Sequence, residues 1–103
     1  MILDRAHFDM MTAGDRSLQL EVLGLFKAQV EGWTAALAQA GWRDAVHTLK
    51  GSARGIGLTE LAAVCGAAEA LPDAESEAAL GEVRAALGRA LEALEQFAAE
   101  SHT

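Results

Sequence analysis

A chain of 103 residues holds one domain, near the shortest length at which a hydrophobic core sustains a fold without cross-links. Its net charge of −7, from 8 basic and 15 acidic side chains, argues against nucleic acid as a partner, because phosphate-backbone binding draws on clustered Lys and Arg. Apolar residues make up 51%, with a single proline and abundant Ala, Leu and Glu, a composition that favours an all-α domain over any sheet.

Cys65 stands alone, so it can close no intrachain disulfide and complete no thiolate metal site, which fits a reducing compartment. Met1-Ile2-Leu3-Asp4-Arg5 lacks the basic start and apolar run of a secretory signal. No apolar stretch approaches the roughly 18 residues a spanning helix needs. A cytoplasmic protein with no membrane partner is expected.

From Asp4 to Thr12 a short periodic stretch (Phe8, Met11) reads as a first helix, stopped by Ala13-Gly14. Asp15 is placed to cap a longer helix to about Gln39, with Leu18, Val22, Leu25, Phe26, Val30, Trp33 and Leu37 on one side. After Gly41, the set Trp42, Ala45, Val46, Leu49, Ala53 and Ile56 steps by three and four and predicts a third helix, ended by Gly55 and Gly57. Thr59 is the expected cap of a fourth, Glu60 to about Ala70, with Leu61, Ala62, Cys65 and Ala68 inward. Leu71-Pro72-Asp73 breaks it, and a last helix follows from Ala74 to Glu100 through Leu80, Val83, Leu87, Leu91, Leu94 and Phe97. Four long helices with short links predict an antiparallel up-down-up-down four-helix bundle, the short first helix covering one end, over a single domain 1–103.

The chemistry concentrates on the third helix. Of the 8 basic residues, Arg43, Lys50 and Arg54 fall in one short stretch of an otherwise acidic chain, and with His47 and Gly51 they occupy a face apart from the inward stripe. A mid-helix glycine costs about 1 kcal/mol relative to alanine, and here it opens access one turn from an imidazole. An exposed neutral imidazole is a nucleophile, and a phosphoryl group carried on it brings about two negative charges for nearby cations to meet. Taken singly, each feature is ordinary: a surface histidine is usually a solvated side chain, and a helical glycine often serves packing.

The ordered string His47-Thr48-Leu49-Lys50-Gly51-Ser52-Ala53-Arg54-Gly55-Ile56-Gly57 is less easily explained so. It closely resembles the signature of histidine-containing phosphotransfer (HPt) domains, continues through Leu61-Ala62-Ala63-Val64-Cys65 to Glu69, and covers nearly the whole chain. The resemblance implies that His47 is the phosphoacceptor, Lys50 the phosphate-facing cation and Gly51 the clearance site. It implies also a passive partner with no ATP site or cofactor of its own, served by response-regulator receiver domains that contribute the Mg²⁺, with a hybrid histidine kinase upstream.

Spacing adds Glu69 independently. His47 lies ten residues before the hairpin turn at Gly57 and Glu69 twelve after it, so at about 1.5 Å rise per residue both stand about 15–18 Å from the turn. Glu69 is therefore expected beside His47, its carboxylate accepting from Nδ1–H and leaving the Nε2 lone pair outward. The plainer alternative is a surface acid paired with Lys50 or Arg54, an arrangement worth little when exposed.

Other features carry less. His7 and His102 lack a second ligand at helical spacing and read as solvated. Trp33 and Trp42 read as packing around a turn, Cys65 as a small core residue, and Ser52 as a helix-packing residue with no base arranged around it. Gly51, Gly55 and Gly57 follow no strand, which excludes a P-loop. Three readings stay open: a monomeric phosphorelay intermediate passing phosphate between receiver aspartates through His47, the phosphoacceptor domain of a chemotaxis-type kinase, and a non-catalytic helical adaptor. The initial Met and the short tail after the last helix favour a free-standing module.

Overall fold

Helix boundaries follow local chemistry throughout the computed structural model, which describes residues 1–100. Helix α1 (Arg5–Met11) starts where the Asp4 carboxylate accepts from the His7 amide at 3.1 Å, and it stops where Ala13 and Gly14 both take positive φ, 54° and 67°. Asp15 repeats the cap on the Leu18 amide at 3.2 Å and opens α2 (Arg16–Leu37). Helix α3 (Trp42–Ile56) closes on Gly57, whose φ of 96° only glycine adopts without strain. A Cβ at Gly57 would also meet His7 Cδ2 at 3.0 Å and the Asp4 carbonyl oxygen at 3.1 Å. Helix α4 (Thr59–Glu69) and α5 (Ser76–Glu100) are joined through Pro72 and a single 3₁₀ turn, Asp73–Glu75.

The buried faces come from all four long helices. Helix α3 contributes Trp42, Val46, Leu49 and Ala53, α4 contributes Leu61, Ala62, Cys65 and Ala68, and α5 contributes a seam from Ala79 to Leu94. Helix α3 packs on α4, α4 on α5, and α2 against both α3 and α5, so the four surround one core. Alanines at 62, 68, 79, 86 and 90 let these helices approach closely while still removing apolar surface from water. Helix α1 lies against the α3–α4 turn and the last turns of α5. The Asp4 amide donates to the Gly57 carbonyl at 2.7 Å, Phe8 meets Phe97 edge-on at 5.1 Å, and Arg5 pairs with Glu100. The architecture is an all-helical bundle, and among the described residues no helix is long and apolar enough to cross a membrane.

Several expectations need correction. Gly55 does not end α3 but lies within it. Thr59 is the first helical residue of α4 rather than its cap, and its hydroxyl donates to the Met1 carbonyl at 2.6 Å. Helix α2 ends at Leu37, two residues early, where Ala38 closes a tighter bond to the Ala35 carbonyl. Its inward seam runs through Gln19, Val22, Phe26, Val30, Trp33 and Leu37 as well as Leu23, leaving Leu18 and Leu25 exposed. Gln19 is buried in their stead because its amide donates to Thr12 Oγ1 at 3.1 Å and to Asp9 Oδ1 at 3.2 Å, tying α2 to the end of α1.

Candidate functional site

His47 follows Val46 on α3, about 100° around the helix from that buried residue, and its side chain is 71% exposed. Glu69, the last residue of α4, brings both carboxylate oxygens to 3.3 Å from His47 Nδ1. A carboxylate can only accept, so Nδ1 carries the proton and, in the neutral ring, Nε2 keeps its lone pair. Among the described residues Nε2 has no hydrogen-bond partner, and it faces water.

The cations on this stretch separate into three situations. Lys50 is only 15% exposed, and its ammonium sits 2.9 Å from Glu69 Oε1, its stem passing over α4 where a Cβ on Gly66 would lie 3.9 Å from Lys50 Cδ. Arg43 leaves the His47 face altogether. Its guanidinium lies over the Trp42 ring at 4.5 Å, meets Asp73 at 2.6 Å, and donates to the Leu71 carbonyl and, at 3.5 Å, to the Glu69 carbonyl. Arg54 alone of the three has no ion-pair or hydrogen-bond partner among the described residues, and it stands about 10 Å along α3 from His47.

Glu69 is a quarter exposed, at 24%, and stays ionised well into acid. The hydrogen bond from Lys50 pulls its carboxyl below the ordinary glutamate range, desolvation opposes this, and the hydrogen bond from His47 adds to the lowering. Gly51 is exposed, and a Cβ there would meet nothing within 4 Å, so nothing inside the bundle requires the glycine.

The remaining polar residues fall into structural roles. His7 is not simply solvated: its Nε2 lies 3.1 Å from the Gly55 carbonyl and pins α1 to the end of α3. His102 lies outside the described residues. The Cys65 thiol is fully buried and pushed up to about 11, chiefly by desolvation, with Glu69 raising it and Lys50 lowering it, so it is inert as a thiolate. Trp42 is buried, and Trp33 packs edge-on against Phe26 at 5.4 Å. Among the described residues no group of three or more His, Cys, Asp and Glu side chains is placed to hold a metal ion.

One surface escaped the sequence reading. Between α2 and α3 runs a mainly apolar cleft lined by Met11, Val22, Leu25, Phe26, Gly55 and Ile56 together with the polar Gln29 and Ser52, on the half of α3 that follows Gly51. The signal for it was present in α2, which carries more apolar residues than one buried seam can use.

The Hpt domain family model matches residues 21–97, from the first turns of α2 almost to the end of α5. The chain belongs to the Hpt domain family. Hpt domains are phosphotransfer modules of phosphorelays that work with receiver domains and kinases, and the matched span of this Hpt chain holds the whole His47, Lys50, Gly51, Arg54 and Glu69 constellation. No curated protein and no solved structure matches the chain.

Proposed function

We propose that this Hpt protein is a phosphorelay intermediate that carries a phosphoryl group on His47 between receiver-domain aspartates. The observation that carries this reading is the His47 ring itself: exposed, held through Nδ1 by Glu69, with Nε2 unpartnered among the described residues and turned to water. The Nε2 lone pair attacks the phosphorus of an aspartyl phosphate. The N–P bond forms as the acyl P–O bond breaks, and the receiver's carboxylate leaves with the electron pair. The ring becomes a cation with its proton still on Nδ1, where the ionised Glu69 stabilises it. Transfer to a second receiver reverses these changes.

Lys50 and Arg54 supply positive charge beside the phosphoryl group. Lys50 retains N–H donors beyond the one given to Glu69, and Arg54 is free to swing toward the phosphate. Gly51 lets the partner's backbone come within attack distance. The α2–α3 cleft, continuous with this face, gives a receiver domain an apolar footing. The reaction's Mg²⁺ belongs to the receiver, and the protein needs no ATP site or cofactor of its own.

The side chains joining the helices favour an antiparallel up-down-up-down arrangement with α1 closing one end. Arg43 near the start of α3 reaches Leu71 just past α4, Glu60 at the start of α4 meets Arg89 midway along α5 at 2.5 Å, and Lys27 of α2 meets Glu95 at 3.6 Å. We read the protein as one cytoplasmic, monomeric domain, with receiver domains and a hybrid histidine kinase as partners and neither nucleic acid nor membrane among them.

The test is a label-transfer assay. Incubated with a phosphorylated receiver, the protein takes up acid-labile, base-stable label, and incubated with ATP alone it takes up none. Label on a His47→Gln variant, or none on the native protein from any receiver or kinase extract of its source, overturns the reading.

A further inference from the structure

Helix α4 ends at the residue the site depends on, and an α-helix leaves its last carbonyls without partners. No glycine closes this end: Ala70 keeps right-handed geometry, and the last turn of α4 carries no basic residue of its own. The cation that complements the helix C-terminus comes instead from α3. Arg43 donates to the carbonyls of Glu69 and Leu71, and its guanidinium plane is fixed on one side by the Trp42 ring and at its edge by Asp73.

Arg43 stands one helical turn before His47 on the same helix. Helix α3 thus holds Glu69 twice: Lys50 grips the carboxylate and Arg43 grips the backbone that carries it. A terminal helical residue frays unless its carbonyls are satisfied, and a carboxylate on a fraying turn cannot stay at 3.3 Å from a neighbouring ring nitrogen.

We propose that Arg43 is a positioning residue for the phosphoacceptor. By clamping the end of α4 it holds Glu69 against Nδ1, keeps the His47 proton on that nitrogen, and so keeps Nε2 available for attack. The inference rests on the phosphotransfer reading for its importance but not for its test, since the ring can be observed without any transfer.

The experiment is ¹⁵N NMR of the His47 ring in the full chain at neutral pH, beside the transfer rate. In the native protein the Nδ1–H tautomer predominates. Arg43→Ala lowers the Nδ1–H to Nε2–H ratio by about threefold or more, toward the value of Glu69→Ala, with a parallel fall in transfer rate; that size corresponds to a modest coupling between contacting residues. In a Glu69→Ala background the same change has no further effect on the ring. Asp73→Asn, at an exposed position, moves the ratio the same way by less. Native ring signals in a folded Arg43→Ala protein, or an equal shift with and without Glu69, overturn the proposal. Where Arg43→Ala does not fold, Arg43→Lys decides: it keeps the charge and loses the fork, so an intermediate ratio supports the clamp and a native ratio overturns it. A ring that responds as expected in a protein that takes no label keeps the clamp and removes the phosphotransfer reading instead.

Discussion

The middle of α3 and its C-terminal turn both carry glycine, for opposite reasons. At Gly57 the backbone is left-handed, and a Cβ would press on His7 and on the Asp4 carbonyl, so the fold itself demands glycine. At Gly51 the backbone is helical and a Cβ would meet open space, so the isolated bundle would be more stable with alanine by about 1 kcal/mol. Gly24, Gly32, Gly81 and Gly88 are equally open, so openness alone does not single out Gly51. Its position one turn from a free imidazole nitrogen does. A local choice that the interior does not explain, placed beside a reactive group, points to something that arrives from outside.

The comparison can be broken first at His47. His47→Gln should abolish label transfer completely while leaving the melting temperature close to native, because an exposed side chain contributes little to folding. A large loss of stability would place His47 in the structural class with Gly57. Gly57→Ala should do the reverse. It loses about 1–2 kcal/mol from the left-handed backbone, a fall of roughly 4–8 °C per kcal/mol in a domain of this size, with transfer per folded molecule unchanged.

Two further substitutions sharpen the contrast on the partner's side. Leu25 is 64% exposed in the α2–α3 cleft, so Leu25→Glu should leave stability within about 0.5 kcal/mol yet weaken receiver binding about tenfold, as burial of a leucine side chain would require. Titration calorimetry against a receiver checks it, and native affinity would remove the cleft from the docking surface. Gly51→Ala should raise stability by about 1 kcal/mol and slow transfer in the same protein. Thermal melts and transfer kinetics measured together test this opposition of sign, and a faster or unchanged transfer would return Gly51 to the ordinary helical glycines.

The inward face of α3 was legible in the sequence because its apolar residues scarcely exceed what one seam can bury, whereas α4, apolar nearly all round, was read from the spacing of its larger residues. Every residue expected inward on α4 is buried. Counting outward from Gly57 along two helices of equal rise also puts Glu69 beside His47, where the structure has it at 3.3 Å from Nδ1. Helix α2 was harder to read. Leu18 and Leu25 extend the apolar surface beyond the buried row, and the amide contacts of Gln19 with Thr12 and Asp9, which favour burial of Gln19 over Leu18, carry no signal in the apolar spacing. The partners of charged side chains were not legible either. Helical spacing offered Lys50 and Arg54 alike as partners for Glu69 and gave Arg43 none, so the choice of Lys50 and the diversion of Arg43 to the end of α4 emerge only from the fold.

That engagement gives the smallest expected effect, one of pH. Glu69 is held below its ordinary value of 4.5, first by the hydrogen bond from Lys50 and then by that from His47, against desolvation. A carboxyl lowered in the folded state contributes stability that is fully present above the unfolded value and disappears as pH falls through the folded one. Glu69 therefore leaves stability flat from neutrality to about pH 5 and subtracts from it only in stronger acid. Lys50→Met removes the largest lowering influence while desolvation persists, so the ¹³C titration of the Glu69 carboxyl should move upward in pH and the Nδ1–H preference of His47 should fade at a correspondingly higher pH. Partial exposure makes the shift modest and sensitive to salt. Were the carboxyl to titrate identically with and without the ammonium, Lys50 would not be engaged with Glu69 in solution, and its charge would be free, like that of Arg54, to face the phosphoryl group from the start.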